Sequence, residues 1–161
     1  MLVRPTMIVS DITTIIPQQL SALGIKGIIF DLDNTLMAPH TGKITPEMTQ
    51  WLQHLRDAGL KLICVTNNKK QAYCVAAEAE IQMQVLFHAK KPDTKILQEA
   101  ANIMAFPPEH IAIFGDRPLT DIMGGHRLGA KTILVDPLTK LTEPGYIKFL
   151  RKLERLCVKT I

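Results

Sequence analysis

Short apolar runs alternate with stretches of helical periodicity along most of the chain. GIKGIIF (24–30), LKLICV (60–65), VLFHA (85–89), IAIF (111–114) and KTILV (131–135) are each predicted as a strand. Thr45-Pro46-Glu47 opens a helix with proline in its first turn; Trp51, Leu52 and Leu55 share one face, and Gly59 ends it. Further helices are predicted over 69–80, 94–104 (with Asp93 near its cap), 120–128 and 144–159. Strands that read as continuous apolar runs are covered on both faces, and alternation with helices makes them parallel. The pattern predicts an α/β fold with a five-stranded, mainly parallel sheet and helices on both sides. No linker or repeat divides the chain, so 1–161 is read as one domain, with 1–23 a strap and 144–159 a basic amphipathic helix.

Chemically capable residues follow four of the five strands. Asp31, Asp33, Asn34 and Thr35 follow the first, and Thr66, Asn67 and Asn68 the second. Lys90, Lys91 and Pro92 follow the third; Gly115, Asp116, Arg117, Thr120 and Asp121 follow the fourth. Any one cluster is ordinary turn and cap chemistry. Four together are not, because ligands of open parallel sheets bind outside the carboxyl ends of the strands. Asp31 and Asp33, two apart on extended backbone, point to the same side. With Asp116 and Asp121 they form a carboxylate set that repels itself unless a cation neutralises it, and a hard oxygen-seeking ion such as Mg²⁺ fits. Lys91 and the Thr66 hydroxyl suit a phosphate, which completes a phosphoryl-transfer inventory.

Other readings of these residues fail. A calcium loop starting at Asp31 needs glycine at 36 and glutamate at 42, where the chain has Leu36 and Gly42. The GxxxxGK[ST] phosphate loop is absent. A net charge of +4 is mildly basic, but 5% aromatic content without basic–aromatic interleaving argues against nucleic acid. Three cysteines, Cys64, Cys74 and Cys157, match no zinc spacing and indicate a reducing, cytoplasmic compartment. The N-terminus does not read as a signal peptide, and no run reaches the ~18 apolar residues of a membrane span. The five histidines form no ligand spacing; His40 and His88 lie nearest the expected site.

DLDNTL, VTNN, KKP and GDRPLTD, in that order, resemble the four motifs of the haloacid dehalogenase (HAD) superfamily. More narrowly, IKGIIFDLDNTL, the short spacings and the GD…TD…GG arrangement resemble the capless, YqeG-type HAD phosphatases of subfamily IIIA, a group similar to phosphatidylglycerophosphate phosphatases. The resemblance implies a Rossmannoid three-layer sandwich and an aspartyl-phosphate mechanism. It makes Asp31 the nucleophile and Asp33 the general acid and then base, with the Asp33 backbone carbonyl also on Mg²⁺. Thr66 and the following amide would hold phosphoryl oxygens, with Asn67 and Asn68 phosphate contacts or loop-shapers. Lys91 would neutralise nucleophile and phosphate, Asp116 would bind Mg²⁺, and Asp121 would support the metal or its water. Pro118 stiffens the loop after Asp116 and leaves Arg117 open between substrate binding and the rim.

Only 32 residues separate Asp33 from Thr66, and 22 separate Asn68 from Lys91, so neither gap holds a cap domain. The expected site is open and suits a substrate that brings its own bulk. The lead expectation is a phosphomonoester on an anionic lipid, phosphatidylglycerophosphate, with peripheral membrane contact. Alternatives are soluble phosphomonoesters, a macromolecular phosphoester, a receiver-type phospho-acceptor and an inactive scaffold. In the last helix Lys148, Lys152, Arg155 and Lys159 form one stripe, with Tyr146, Phe149, Leu150, Leu153, Leu156 and Cys157 opposite. The expectation is that the apolar face packs on the sheet and the basic face meets solvent.

Overall fold

The structure, a computed structural model, describes residues 2–159. Met1 of the strap, and Thr160 and Ile161, lie outside the described residues. The strands are β1 (Met7–Val9), β2 (Gly27–Phe30), β3 (Lys61–Val65), β4 (Val85–Leu86), β5 (Ile111–Gly115) and β6 (Lys131–Val135). They form one sheet in the order β1-β6-β5-β2-β3-β4, and every pairing is parallel. The helices are α1 (Pro17–Ala22), α2 (Pro46–Asp57), α3 (Gln71–Ile81), α4 (Lys95–Met104), α5 (Met123–Leu128) and α6 (Gly145–Leu156).

The α/β class and the parallel sheet are as expected, but the sheet has six strands rather than five. The strap supplies the sixth: Met7–Val9 pairs with Ile133–Val135. Three residues at an edge are too short for their alternation to stand out from a loop. The third strand is shorter than expected, because His88 and Lys90 turn left-handed at φ 55° and 57°. The helix expected over 120–128 opens earlier, with a π-helical turn at Pro118–Ile122 that leads into α5.

Successive strand residues face opposite sides and build two cores. Ile28, Phe30, Cys64 and Phe114 join residues of α1, α2 and α3 on one face. Ile29, Ile63, Val65 and Ile113 join Leu97, Ala100 and Met104 of α4 on the other. Phe30, Trp51 and Phe114 pack tilted or edge-on, with centroids 5.3–6.2 Å apart. Thr45 caps α2 by accepting the Met48 N–H, and Pro46 takes the first turn, where no amide is missed.

The last helix reverses the expectation. No α6 residue is fully buried. Tyr146, Phe149, Leu150, Leu153 and Leu156 are between 45% and 70% exposed. The face turned to the domain is charged: Arg151 pairs with Asp116 and Glu143, Glu154 with Arg117, and Arg155 with Asp136. Beyond the helix, Val158 bridges Val3, and the Lys159 N–H donates to the Val3 carbonyl.

The indole of Trp51 donates to the buried Ile15 carbonyl at 2.7 Å and fastens the strap to α2. Trp51→Phe should lower unfolding free energy by about 2–3 kcal/mol in a urea titration, from lost volume and an unpaired carbonyl.

Candidate active site

The chain runs from β2 outward through β3 and β4, then returns to β5 on the other side of β2. Strand order reverses there, which opens a crevice between the carboxyl ends of β2 and β5. Asp31 follows β2 directly, and its N–H donates to the Phe114 carbonyl at 2.9 Å. Asp116 follows β5, Thr66 follows β3, and the left-handed turns at His88 and Lys90 deliver Lys91. Asp31, Asp33, Thr66, Asn67, Lys91, Asp116 and Asp121 all line one cavity of about 240 Å³. His40 and His88 are not among its lining residues.

Lys91 is the centre of the arrangement. Its ammonium is buried and lies 2.7 Å from Asp31 Oδ1, 2.8 Å from Asp121 Oδ1 and 2.7 Å from the Val65 carbonyl. Asp121 Oδ1 has no partner in hydrogen-bonding geometry, so charge alone pairs it. Asn67 braces the lysine from behind: its side chain accepts the Lys91 N–H at 2.6 Å and donates to the Lys91 carbonyl at 3.0 Å. Thr66 Oγ1 accepts the Asn68 N–H at 3.1 Å and shapes the same loop.

Asp33 stands apart from the other carboxylates. Tyr73 donates to its Oδ1 at 2.7 Å and Asn68 to its Oδ2 at 3.1 Å. These two donors fix the orientation of the carboxyl, which lines the cavity. Tyr73 escaped the sequence reading because one polar tip near the start of an apolar helix carries no periodic signal.

Gly115 makes the approach of Asp121 possible. A Cβ there would lie 2.3 Å from the Asp121 carboxylate. Pro118 occupies the first turn of the π-helical segment, where its missing N–H costs nothing, and Asp121 Oδ2 accepts the Arg117 N–H at 3.1 Å. The Arg117 side chain turns to Glu154 of α6. Arg151, unforeseen in sequence, also lines the cavity. It reaches Asp116 while its Nε donates to both Glu143 oxygens, and Glu143 in turn accepts from the Thr139 hydroxyl, while the Thr139 backbone N–H donates to Asn34 Oδ1.

The carboxylate set fits a divalent cation. One oxygen from each of Asp31, Asp116 and Asp121 lies within 4.8 Å of the others. Formally, Asp31, Asp116, Asp121 and Glu143 bring four negative charges against the two positive ones of Lys91 and Arg151. Burial raises the Asp31 pKa to about 8, against the pull of Lys91 and with Asp121 and Asp116 adding to the rise. Burial and Asp121 raise Asp116 to about 6, against Arg151. Burial works against the charge on Lys91, but Asp121 and Asp31 outweigh it and hold its pKa above the ordinary value.

The family model described as mitochondrial PGP phosphatase matches residues 1–139. The chain belongs to this family. Members of the family are phosphatases, and this chain is one. It is 34% identical over 152 residues to the "Probable phosphatase YqeG" of Bacillus subtilis, covering 94% of this chain and 87% of that one. It is 32% identical over 165 residues to "Phosphatidylglycerophosphate phosphatase 1, chloroplastic/mitochondrial" of Arabidopsis thaliana, covering 98% of this chain but 47% of the plant protein, so it spans about half that relative's length. Yeast "Phosphatidylglycerophosphatase GEP4, mitochondrial" is 30% identical over 141 residues, 80% of this chain and 76% of the yeast one. Among solved structures, an uncharacterized protein from Listeria monocytogenes superposes with a TM-score of 0.58 at 15% identity, over 80% of this chain and 99% of that one. NagD of E. coli superposes at 0.50 and 16%, over 78% and 91%. The fold of this PGP phosphatase family member is therefore HAD-like. As the motif spacing foretold, α2 with β3, and α3 with β4, fill the two gaps where a cap would enter.

Two outcomes are expected. Asp31 and Asp116 are acids whose folded pKa exceeds the ordinary 3.8, so the folded chain binds more protons than the unfolded one. Their contribution is greatest below about 3.8 and is lost as pH rises through about 6 and about 8. A cation that needs these carboxylates ionised should therefore raise Tm more at pH 8 than at pH 6 in a thermal-shift titration. Gly115→Ala should lower unfolding free energy by about 1–3 kcal/mol through overpacking and remove most of the cation-induced rise in Tm.

Proposed function

We propose that the chain is a Mg²⁺-dependent phosphatidylglycerophosphate phosphatase that works through an aspartyl-phosphate. The observation that carries this reading is the ammonium of Lys91 buried between Asp31 and Asp121 at the strand-order reversal. The names of the plant and yeast relatives support the lipid substrate. Free cysteines fit a reducing, cytoplasmic setting. Among the described residues no helix is long and apolar enough to cross a membrane.

In this reading an Asp31 carboxylate oxygen attacks phosphorus, and the bond from phosphorus to the leaving alcohol breaks. Asp33, positioned by Tyr73 and Asn68, gives its proton to the departing alkoxide. A water then attacks the aspartyl-phosphate and yields its proton to Asp33, which frees phosphate and regenerates Asp31. Lys91 and the Thr66 hydroxyl hold phosphoryl oxygens, while Asn67 keeps Lys91 in place. Asp31, Asp116, Asp121 and the Asp33 carbonyl would hold Mg²⁺, which when bound offsets the charge of the phosphoryl group. The uncapped crevice suits a headgroup presented by a bulky lipid.

Phosphate release from phosphatidylglycerophosphate in mixed micelles tests the reading, with glycerol 3-phosphate and a chromogenic phosphomonoester alongside. Mg²⁺-dependent release from the lipid is expected, lost roughly 10³-fold or more in Asp31→Asn. Release from the small esters but not the lipid would retain the chemistry and refute the substrate.

A further inference from the structure

We infer that α6 is a membrane-docking helix: its apolar row enters the headgroup layer of an anionic bilayer and holds the domain at the lipid surface. The inference deepens the lipid reading and rests on it for the substrate, but not for the docking itself. The helix lies beyond residues 1–139, the part of the chain that matches the family model.

Three observations carry it. First, the outward orientation is built in. Arg151, Glu154 and Arg155 are spent on partners in the domain, so the helix cannot roll its apolar face inward without breaking three sets of ion pairs. The row left outside runs the length of the helix, and Leu141, 88% exposed, adds an apolar side chain beside Lys148, whose ammonium donates to its carbonyl. An apolar face of this size on a short amphipathic helix marks an interaction surface.

Second, the flanking charge selects the occupant. Lys152, three residues after Phe149 and four before Leu156, borders the apolar row; Lys148 lies one turn before it, and with Lys140, Arg151 and Arg155 the two line a groove of about 390 Å³. The acids Asp136 and Glu143 in that groove are already paired with Lys140, Arg155 and Arg151. Such a border suits lipid phosphates. A second copy is disfavoured: a two-fold contact between like faces would set lysine against lysine, in a chain of net charge +4.

Third, the helix is tied to the site. Arg151, on the face of α6 opposite the apolar row, lines both the groove and the catalytic cavity and touches Asp116. A bilayer seated on the row thus lies about 10 Å, one helix diameter, from that side chain.

The test is flotation of the full chain, without substrate, on vesicles of phosphatidylcholine with phosphatidylglycerol and on vesicles of phosphatidylcholine alone. The wild type should float with the anionic vesicles. Phe149→Ser/Leu153→Ser/Leu156→Ser should lower the bound fraction about tenfold or more, with Tm and turnover of a chromogenic phosphomonoester unchanged. Lys148→Glu/Lys152→Glu, which leaves the apolar row intact, should also release the protein from anionic vesicles. A wild type that stays with the lipid-free fraction overturns the inference, as do triple and charge-reversed variants that float like it. A wild-type dimer that does not float, and that the serine variant turns into a monomer, would assign the face to a second copy and overturn it equally. Flotation is read without turnover, so a failed lipid-phosphatase assay and a failed docking assay remain distinct.

Discussion

The structure around the site depends on one buried ammonium. Lys91 is the fixed positive charge between Asp31 and Asp121, in a crevice that also holds Asp116. Buried carboxylates at this spacing repel each other and resist desolvation; without a countercharge they would protonate or force the loops apart. The same lysine is tied to its surroundings through its main chain, by the two-way bond with Asn67, and through its ammonium, by the Val65 carbonyl. The ends of β2, β3 and β5 and the loop after β4 therefore share one electrostatic solution. Local folding and the geometry of the crevice are here the same constraint.

Much of this was legible in sequence because strand ends are legible. Continuous apolar runs mark buried parallel strands, and the next few residues must lie at their carboxyl ends. Asp31, Thr66 and Asp116 could thus be placed together although they are far apart in the chain. What escaped has a physical reason in each case. Tyr73, and the bond from Asn68 to Asp33, act between elements, and such bonds leave no periodic trace. Strand β1 is three residues on an edge, too short to show alternation. Helix α6 was recognised as amphipathic, but periodicity reports that two faces differ, not which one turns inward. That choice was made by Asp116, Asp136, Arg117 and Glu143, which wait on the domain for Arg151, Arg155 and Glu154.

These contacts join the periphery to the centre. From Asn34, next to the Asp33 carboxylate, a relay of polar contacts runs through Thr139, Glu143 and Arg151 to Asp116. It encircles one side of the cavity and begins and ends on site loops. The part of the chain that matches the family model supplies the carboxylates and the lysine, whereas Arg151 comes from the helix beyond it. The HAD-like frame and the local surroundings of its clustered acids thus come from different parts of the chain.

The attachment of α6 by charge rather than by buried carbon has a thermodynamic consequence. Apolar burial is the main source of the heat-capacity change of unfolding and weakens on cooling. Ion pairs contribute little to that term, and salt screens buried pairs far less than exposed ones, so of these contacts the half-exposed Arg117–Glu154 pair is the one an electrolyte weakens most. Detachment of this helix would thus register faintly in calorimetry. Its hold on the domain is nearly independent of the heat-capacity term that governs the sheet beneath.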